Sequence, residues 1–433
     1  MPKKRISNLF KIASLVCVIF LANGLTQPAN AQFVKGADVS WLPQMEATGF
    51  HFYNYSGEET NCLQILKDKG INTIRLRVFV NPSNHKTDGH CSKDETVTMA
   101  LRAQAMGMRI MIDFHYSDSW ADPGKQNKPA TWASHSFTQL LNDVYTHTFE
   151  VIDTLKKSGV TPEWVQVGNE IGGGMLWPDG STNNWTQLAQ LLNKGYDAVK
   201  AVDNSIQVII HHQSGHDNAK CRWFFDNAKN KGVKYDMIGL SYYPYWIGSD
   251  YTVTIDDLEN NMNDLVARYG KEVMVVEVGG EDIQVQNTYD MLVAVIKKTA
   301  AVSETKGMGV IYWEPEGERN WSGGYPLSCW SANGKPTAAL NAFLTNITSI
   351  NSKNAPVFNI YPNPNTGGVL NFEFEKSNLT YAISIYDLEG RLLKQQTMSG
   401  FVKNSMRLDL IPGIYLVKVD DGKYYQVRKL IVR

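Results

Sequence analysis

Short apolar runs recur along the chain, and each is followed by polar or glycine-rich residues. The run at residues 164–167 reads Trp-Val-Gln-Val and leads into Asn169, Glu170 and three glycines. A brief apolar run bounded in this way indicates a buried β-strand, because a buried helix needs a longer apolar pattern. We predict eight such strands, at residues 34–39, 73–80, 109–114, 164–167, 207–210, 237–240, 273–278 and 309–313.

Longer stretches with helical patterning lie between these runs. We predict helices that include residues 61–69, 96–106, 137–158, 185–202, 256–268 and 288–305. Eight strands that alternate with helices are typical of an α/β protein with a (β/α)8 TIM barrel. An open doubly wound sheet is the alternative, but no glycine-rich phosphate-binding loop follows the first run.

The pattern changes after residue 345. Residues 346–356 form a polar linker, and the segment at 357–433 then alternates apolar and polar positions, as at 381–386 and 415–419. Such alternation, with a turn at Pro412-Gly413, predicts a small all-β sandwich. A carbohydrate-binding module is the alternative for this segment. It is disfavoured because residues 357–433 contain no tryptophan, so no row of exposed tryptophans is available to bind sugar. We therefore expect a barrel at residues 32–345 and a sandwich at residues 357–433.

The first 31 residues have the organisation of a secretion signal. Lys3-Lys4-Arg5 supplies the positive region, residues 12–21 are apolar, and Ala29-Asn30-Ala31 is a small-x-small cleavage site. The apolar stretch is too short to predict a membrane span. We expect export to the periplasm, the cell surface or the medium, with a mature chain that starts at Gln32.

Composition narrows the function further. Hydrophobic residues make up 43% of the 433 residues, so a large core can form, and the net charge is -1. A nucleic-acid partner is not expected, because such proteins carry a basic excess. Four cysteines remain after the signal, which permits disulfides or buried free thiols: Cys62, Cys91, Cys221 and Cys329.

Two glutamates end predicted strands in the same manner. Glu170 follows the run at 164–167, and Glu277 lies in the run at 273–278 before Gly279 and Gly280. The carboxyl ends of barrel strands share one face, so the two side chains should meet there. Two facing carboxyl groups are the equipment for cleaving a glycosidic bond. Each glutamate alone is explained equally well as a solvated strand end.

Other polar and aromatic residues follow the runs and should line the same cleft. Each has an ordinary structural explanation when taken alone; His115, for example, could be a core histidine, and Tyr243 and Trp313 could be packing residues. Their shared position after the strands favours a binding site.

The chain resembles the family 53 glycoside hydrolases, which are endo-β-1,4-galactanases, over residues 33–345. The resemblance rests on DFHYSDSWADPGKQ at residues 113–126, GADVSW at 36–41, RLRVFVNP at 75–82, VGNEI at 167–171, LSYYP at 240–244 and YWEP at 312–315. Residues 317–330 depart from the family pattern. The tail resembles the type IX secretion sorting domain at 361–364, 412–415 and 429–433.

The resemblance implies retaining hydrolysis of β-1,4-galactan, with Glu170 as acid/base and Glu277 as nucleophile. It implies that Asn169 holds the sugar 2-hydroxyl, that Arg77 and Tyr243 hydrogen-bond the nucleophile, and that His115 lines the reacting subsite. It extends the substrate-binding set to Asp113, Trp120, Asp122 and Trp313. We expect no required cofactor and a monomeric enzyme. A structural calcium ion could use Glu281 and Asp282, although no ligand series with calcium spacing is present.

The chemistry also predicts how the two carboxyls are tuned. The acid must be protonated, so we expect repulsion from Glu277 to raise the pKa of Glu170 and Arg77 to keep Glu277 ionised. Two alternatives stay open at this point. One is another retaining barrel glycanase, of mannanase or cellulase type. The other is a non-catalytic glycan-binding protein, which would not need a matched pair of glutamates.

Overall fold

The structure is a computed structural model that describes residues 32–83, 90–347, 356–375, 378–388, 390–400, 404–422 and 425–433. The predicted secretion signal at residues 1–31 lies outside the described residues, as does most of the predicted linker at 346–356.

Eight parallel strands close into a barrel, and this confirms the predicted fold. Each strand pairs with its neighbour in the chain, and the first pairs with the last through Val34 opposite Gly309. That closure rules out an open doubly wound sheet. The strands are β1 Val34–Asp38, β2 Thr73–Val78, β3 Arg109–Phe114, β4 Trp164–Val167, β5 Gln207–His212, β6 Met237–Tyr242, β7 Glu272–Val278 and β8 Gly307–Trp313.

Helices follow the strands and cover the outside of the barrel. They are α1 Leu42–Ala47, α2 Cys62–Asp68, α3 Lys93–Ala105, α4 Phe137–Lys157, α5 Trp185–Val202, α6 Asn218–Asn230, α7 Pro244–Ile247, α8 Tyr251–Tyr269 and α9 Val285–Ala300. Their ends follow local chemistry. Ser136 and Gln139 form a capping box at the start of α4, and Gly270 adopts φ 69° at the end of α8.

The helix predicted at residues 288–305 ends earlier than expected. α9 stops at Ala300, and a separate 3-10 turn covers Ser303–Thr305. Val302 is already extended, with ψ 136°, so the helix cannot reach it. Glu304 and Thr305 follow with φ values of 58° and 56°, which are left-handed. The apolar periodicity therefore predicted a helix that continues beyond the point where the backbone leaves the helical conformation.

Two apolar layers hold the barrel. The larger cluster lies between the strands and the helices, and it includes Leu140, Leu192, Leu258 and Phe343. A smaller cluster comes from the strands themselves: Val34, Met111, Trp164, Ile209, Met237, Met274, Val276 and Ile311. Most of these residues lie in the first half of their strands. They fill the barrel interior at that end with a layer of side chains, as in other TIM barrels.

The C-terminal segment consists of two antiparallel sheets, which confirms the predicted all-β fold of this region. Its strands are β9 Phe358–Tyr361, β10 Val369–Phe374, β11 Thr380–Tyr386, β12 Leu392–Ser399, β13 Asn404–Arg407, β14 Gly413–Asp420 and β15 Tyr425–Val432. One sheet has the order β9-β10-β13 and the other β12-β11-β14-β15. Ile383, Val417 and Leu430 belong to a core cluster distinct from that of the barrel. Within the described segments, we find no helix with the length and apolarity to cross a bilayer.

Because the two cores are distinct, we predict that the barrel folds without the tail. A chain that ends after Ile347 keeps the final 3-10 helix Ala338–Leu344 and the apolar contacts of Ile347 with the barrel core. Its thermal unfolding midpoint should match the barrel transition of the full chain, because domains with their own cores unfold as units. An insoluble truncated chain, or one whose midpoint falls by about 3 °C or more (roughly 2 kcal/mol for a barrel of this size), would show that the tail stabilises the barrel.

Candidate active site

The barrel interior changes from apolar to polar along its strands. In β3, Met111 is followed two positions later by Asp113; in β4, Trp164 is followed by Gln166; in β5, Ile209 is followed by His211. Residues two apart on a strand share a face, so these polar side chains point inward as well. All three are completely buried or nearly so. The barrel interior therefore carries a layer of polar side chains, which lies nearer the carboxyl ends of the strands than the interior apolar cluster does.

Arg75, on β2, is the centre of that polar layer. Its Nη1 lies 2.7 Å from Asp38 Oδ2, and its Nη2 lies 2.8 Å from Asp113 Oδ2. Its Nε donates to Gln166 Oε1 at 3.2 Å, and its Nη2 donates to Asn169 Oδ1 at 3.1 Å. The side chain is fully buried. A guanidinium with several donors in fixed directions can orient all of these groups at once.

Glu277, on β7, meets the same guanidinium. Its Oε1 lies 2.9 Å from Arg75 Nη2, and the hydroxyl of Tyr243 donates to its Oε2 at 3.0 Å. The expected contact between Tyr243 and the predicted nucleophile is therefore present. An irregularity in the pairing of β6 with β7 lies between Leu240 and Ser241, and it sets Ser241 opposite Glu277. Because Val276 belongs to the interior cluster, regular alternation would point Glu277 outward; the bulge turns it inward.

Glu170 faces Glu277 from the end of β4. Its backbone is left-handed (φ 49°), and its Oε1 accepts a hydrogen bond from Ser241 Oγ at 2.6 Å. The amide of Glu170 donates to His211 Nδ1 at 3.3 Å, and His211 Nε2 lies 2.7 Å from Ser241 Oγ. One carboxylate oxygen of each glutamate and one nitrogen of His211 lie within 4.8 Å of one another. The two carboxyls are thus close neighbours.

Burial tunes this pair more than charge repulsion does. Burial raises the pKa of Glu170 to about 7, while the Ser241 hydroxyl and Arg75 act in the opposite direction. Burial also raises the pKa of Glu277, and Arg75 opposes that rise. The pKa of Glu277 is raised well above its usual value, but an ion pair and a tyrosine donor favour its charged form, so we infer that Glu170 carries the shared proton. Repulsion from Glu277 was expected to raise the Glu170 pKa; burial is the first cause of that rise, and repulsion between the two carboxyls contributes to the raised pKa of Glu277.

Arg77 does not contact Glu277, and the prediction that it would is also wrong. Its Nη1 lies 2.5 Å from Glu314 Oε1, and its guanidinium lies 4.0 Å from the centroid of the Trp120 ring. Arg75 and Arg77 are two apart on β2 and share a face, so alternation does not distinguish them. Arg77 lies one layer higher, where the end of β8 supplies Glu314, and Arg75 is the arginine that reaches Glu277.

The glutamates open into a cavity of about 530 Å³. Eight of the predicted residues line it: His115, Trp120, Asp122, Asn169, Glu170, Tyr243, Glu277 and Trp313. The other two, Arg77 and Asp113, are buried and do not line it. Asp113 acts through its neighbours, since it pairs with Arg75 and lies 2.9 Å from His115 Nε2. The lining residues that the sequence did not single out are Gln213, Ser214, His216, Trp246, Ile247 and Tyr325.

The polar groups missed from the sequence share a recognisable signal. Gln166 and His211 each lie two positions after a residue of the interior apolar cluster, so their side chains also point into the barrel. Ser241 follows the apolar part of β6. Following every second residue of these strands to the carboxyl end would have found all three. Glu314 is fully buried, and its Oε2 accepts from the Trp41 amide at 3.1 Å. It belonged to a quoted motif, but only the closed barrel pairs it with Arg77.

The acidic residues considered for calcium are engaged elsewhere. Asp282 accepts from Arg319 Nε at 2.9 Å and from Arg319 Nη2 at 2.5 Å, and Gln284 donates to Glu281. Because both oxygens of Asp282 contact a guanidinium, this arrangement does not fit a calcium site. The four cysteines are buried free thiols, so no disulfide joins them.

Comparison with known proteins identifies the family to which the barrel belongs. The family model described as Glycosyl hydrolase family 53 matches residues 34–343. The chain belongs to this family. It is therefore a glycoside hydrolase. Residues 359–433 match the Secretion system C-terminal sorting domain, and the protein is accordingly an exported one.

Named relatives support this assignment. The arabinogalactan endo-beta-1,4-galactanase of Humicola insolens is 34% identical over 302 residues, which are 65% of this chain and 89% of that protein. The endo-beta-1,4-galactanase of Bacillus subtilis is 33% identical, over 66% and 70% respectively. The GH53 catalytic domain of Ignisphaera aggregans has 32% identity and a TM-score of 0.67, over 72% of this chain and 95% of that one.

We predict that Arg75→Met strongly destabilises the barrel. It leaves three buried carboxylates without their guanidinium, and breaking a buried ion pair in this way typically costs about 3–5 kcal/mol. Urea unfolding followed by tryptophan fluorescence measures the loss. Arg102→Met is the matched control, because the Arg102–Glu46 pair is partly exposed and should contribute far less. Equal losses in the two variants would contradict a central role for Arg75.

Proposed function

We propose that the protein hydrolyses β-1,4-galactan within the chain and with retention of configuration. The observation that carries the proposal is the charge asymmetry of the facing pair: Arg75 and Tyr243 bind Glu277, whereas Glu170 accepts one hydroxyl and has a pKa raised to about 7. The substrate class follows the galactanases among the relatives. We further propose a monomer, since one chain supplies both glutamates.

The spacing of the carboxyls supports retention. Retaining glycosidases hold their two carboxyl groups about 5–5.5 Å apart, whereas inverting enzymes need about 6.5–9.5 Å to admit a water. An oxygen of Glu170 and an oxygen of Glu277 approach within 4.8 Å. This close approach is compatible with the shorter, retaining separation, so it favours direct attack by one carboxylate.

In the first step, Glu277 attacks the anomeric carbon while Glu170 gives its proton to the leaving oxygen. Glu277 is ionised because Arg75 and Tyr243 stabilise its charge, and Glu170 is protonated because burial disfavours its charge. Asn169, which Arg75 orients, is the residue that we assign to binding the sugar 2-hydroxyl. The product of this step is a covalent glycosyl-enzyme.

In the second step, a water attacks the anomeric carbon and displaces the Glu277 carboxylate, and Glu170 takes the proton of that water. Once Glu277 is consumed in the ester bond, its negative charge no longer opposes ionisation of Glu170. The same residue can therefore act first as acid and then as base. Because the two carboxyls supply the acid, base and nucleophile, we propose that the reaction requires no cofactor.

The substrate assignment is tested with a panel of polymers. Unbranched β-1,4-galactan should be hydrolysed faster than mannan, cellulose or xylan by a factor of about ten or more, since a site built for one set of sugar hydroxyls rejects others strongly. Reducing-sugar release measures the rates side by side. Equal or faster hydrolysis of mannan or cellulose would assign the chain to another retaining glycanase activity, and no hydrolysis at all would favour a glycan-binding protein.

The pH dependence tests the state of Glu170. Activity on galactan should fall as the pH rises through about 7, because Glu170 must be protonated to act as the acid. Ser241 donates to the ionised form, so it lowers the pKa; Ser241→Ala should therefore move the alkaline limb to higher pH. The measurement is kcat/KM against pH, with Ser205→Ala, in an exposed turn, as the control. A shift of the limb to lower pH would contradict this assignment.

A further inference from the structure

The hydroxyl of Tyr325 is buried without a partner among the described residues. Its ring packs edge-on against Trp313 and Trp41, with centroid separations of 5.0 and 5.7 Å. Buried tyrosine hydroxyls normally have a hydrogen-bond partner, and an exception calls for an explanation. Because the ring is held by packing on two sides, the hydroxyl is presented in a fixed place.

That hydroxyl belongs to the wall of the active cavity. Tyr325, Trp313 and Glu277 all line the same space. In the barrel, a line from β4 to β7 joins the two glutamates and separates β5 and β6 from β8, β1, β2 and β3. Tyr325 follows β8, and Trp41 and Trp120 follow β1 and β3. Trp41, Trp120, Trp313 and Tyr325 therefore lie on one side of the two glutamates, and Tyr243 and Trp246, which follow β6, lie on the other.

An ion pair fixes the segment that carries Tyr325. Arg319 binds both oxygens of Asp282, in the loop after β7, and the Asp282 amide donates to Pro326 O at 2.9 Å. The Tyr325 amide donates to Ser322 Oγ at 3.1 Å. Residues 319–326 are thus attached on both sides of Tyr325 to a loop that begins two residues after Glu277.

We propose that Tyr325 is a further substrate-binding residue, whose hydroxyl binds a hydroxyl of the neutral sugar beside Glu277, and that the Arg319–Asp282 pair positions it. This deepens the proposed function and rests on it. A tyrosine hydroxyl both donates and accepts, as a sugar hydroxyl does, so the two are complementary. A uronic acid would bring a carboxylate toward Glu277 and be repelled, which selects a neutral sugar.

Tyr325→Phe tests the contact, because it removes only the hydroxyl. The expected result is a fall in kcat/KM of about 3–10-fold, the usual effect of one neutral hydrogen bond. The thermal midpoint should stay the same or rise, since the free protein loses an unsatisfied polar group. Tyr196→Phe, on α5, is the control: the Tyr196 hydroxyl lies 3.4 Å from Asp236 Oδ1, away from the cavity, and kcat/KM should not change. An unchanged kcat/KM in Tyr325→Phe, or a lowered midpoint with the same activity, would overturn the proposal.

Arg319→Gln tests the positioning role. It should raise KM more than it lowers kcat, and the charge exchange Arg319→Asp with Asp282→Arg should recover part of the loss. In a double-mutant cycle, Arg319→Gln should have little further effect once Tyr325 is Phe, because the pair acts through that hydroxyl. Losses that multiply in the double variant would show that the ion pair acts elsewhere.

The assays use the polymer that the unaltered protein hydrolyses fastest. A preference for a polymer other than galactan would contradict the proposed substrate and still allow the Tyr325 comparison to succeed or fail. Normal hydrolysis of galactan with no effect of Tyr325→Phe would contradict only the Tyr325 contact.

Discussion

The buried guanidinium of Arg75 is the interaction on which the active site depends. It neutralises part of the charge of Asp38, Asp113 and Glu277 in the barrel interior, and it also orients Gln166 and Asn169. Carboxylates at this depth are costly unless they are paired. Because Glu277 is paired and Glu170 is not, the site divides one proton between two glutamates in a defined way. The proposed difference between acid and nucleophile follows from that ion pair together with the hydrogen bond that Tyr243 donates to Glu277.

Much of this arrangement could be predicted from the sequence because barrel geometry is repetitive. The apolar runs located the eight strands, and the rule that strand ends share one face correctly predicted that Glu170 and Glu277 lie together. The same rule placed His115, Trp120, Tyr243 and Trp313 around one cavity. These features depend on local pattern and on a fold whose closure is regular.

The errors arose where regular geometry is not sufficient. Arg75 and Arg77 have the same parity, so only their height in the barrel determines which of them reaches Glu277. Glu277 itself points inward through an irregularity in the pairing of β6 and β7, which alternation does not signal. α9 ends early because the backbone becomes extended at Val302, two residues after the helix. Residues 317–330 departed from the family pattern, and this is where the structure adds Tyr325 to the cavity wall.

Azide rescue with a dinitrophenyl β-galactobioside tests the division of roles most directly. Glu170→Ala should form the glycosyl-enzyme quickly and then stall, because the dinitrophenolate needs no acid but the water needs a base. Azide needs no base, so it should relieve the stall and give the β-azide. Glu277→Ala lacks the nucleophile, so azide in the vacated space should give the α-azide. The β-azide from Glu277→Ala and the α-azide from Glu170→Ala would contradict the account, because the roles would then be reversed.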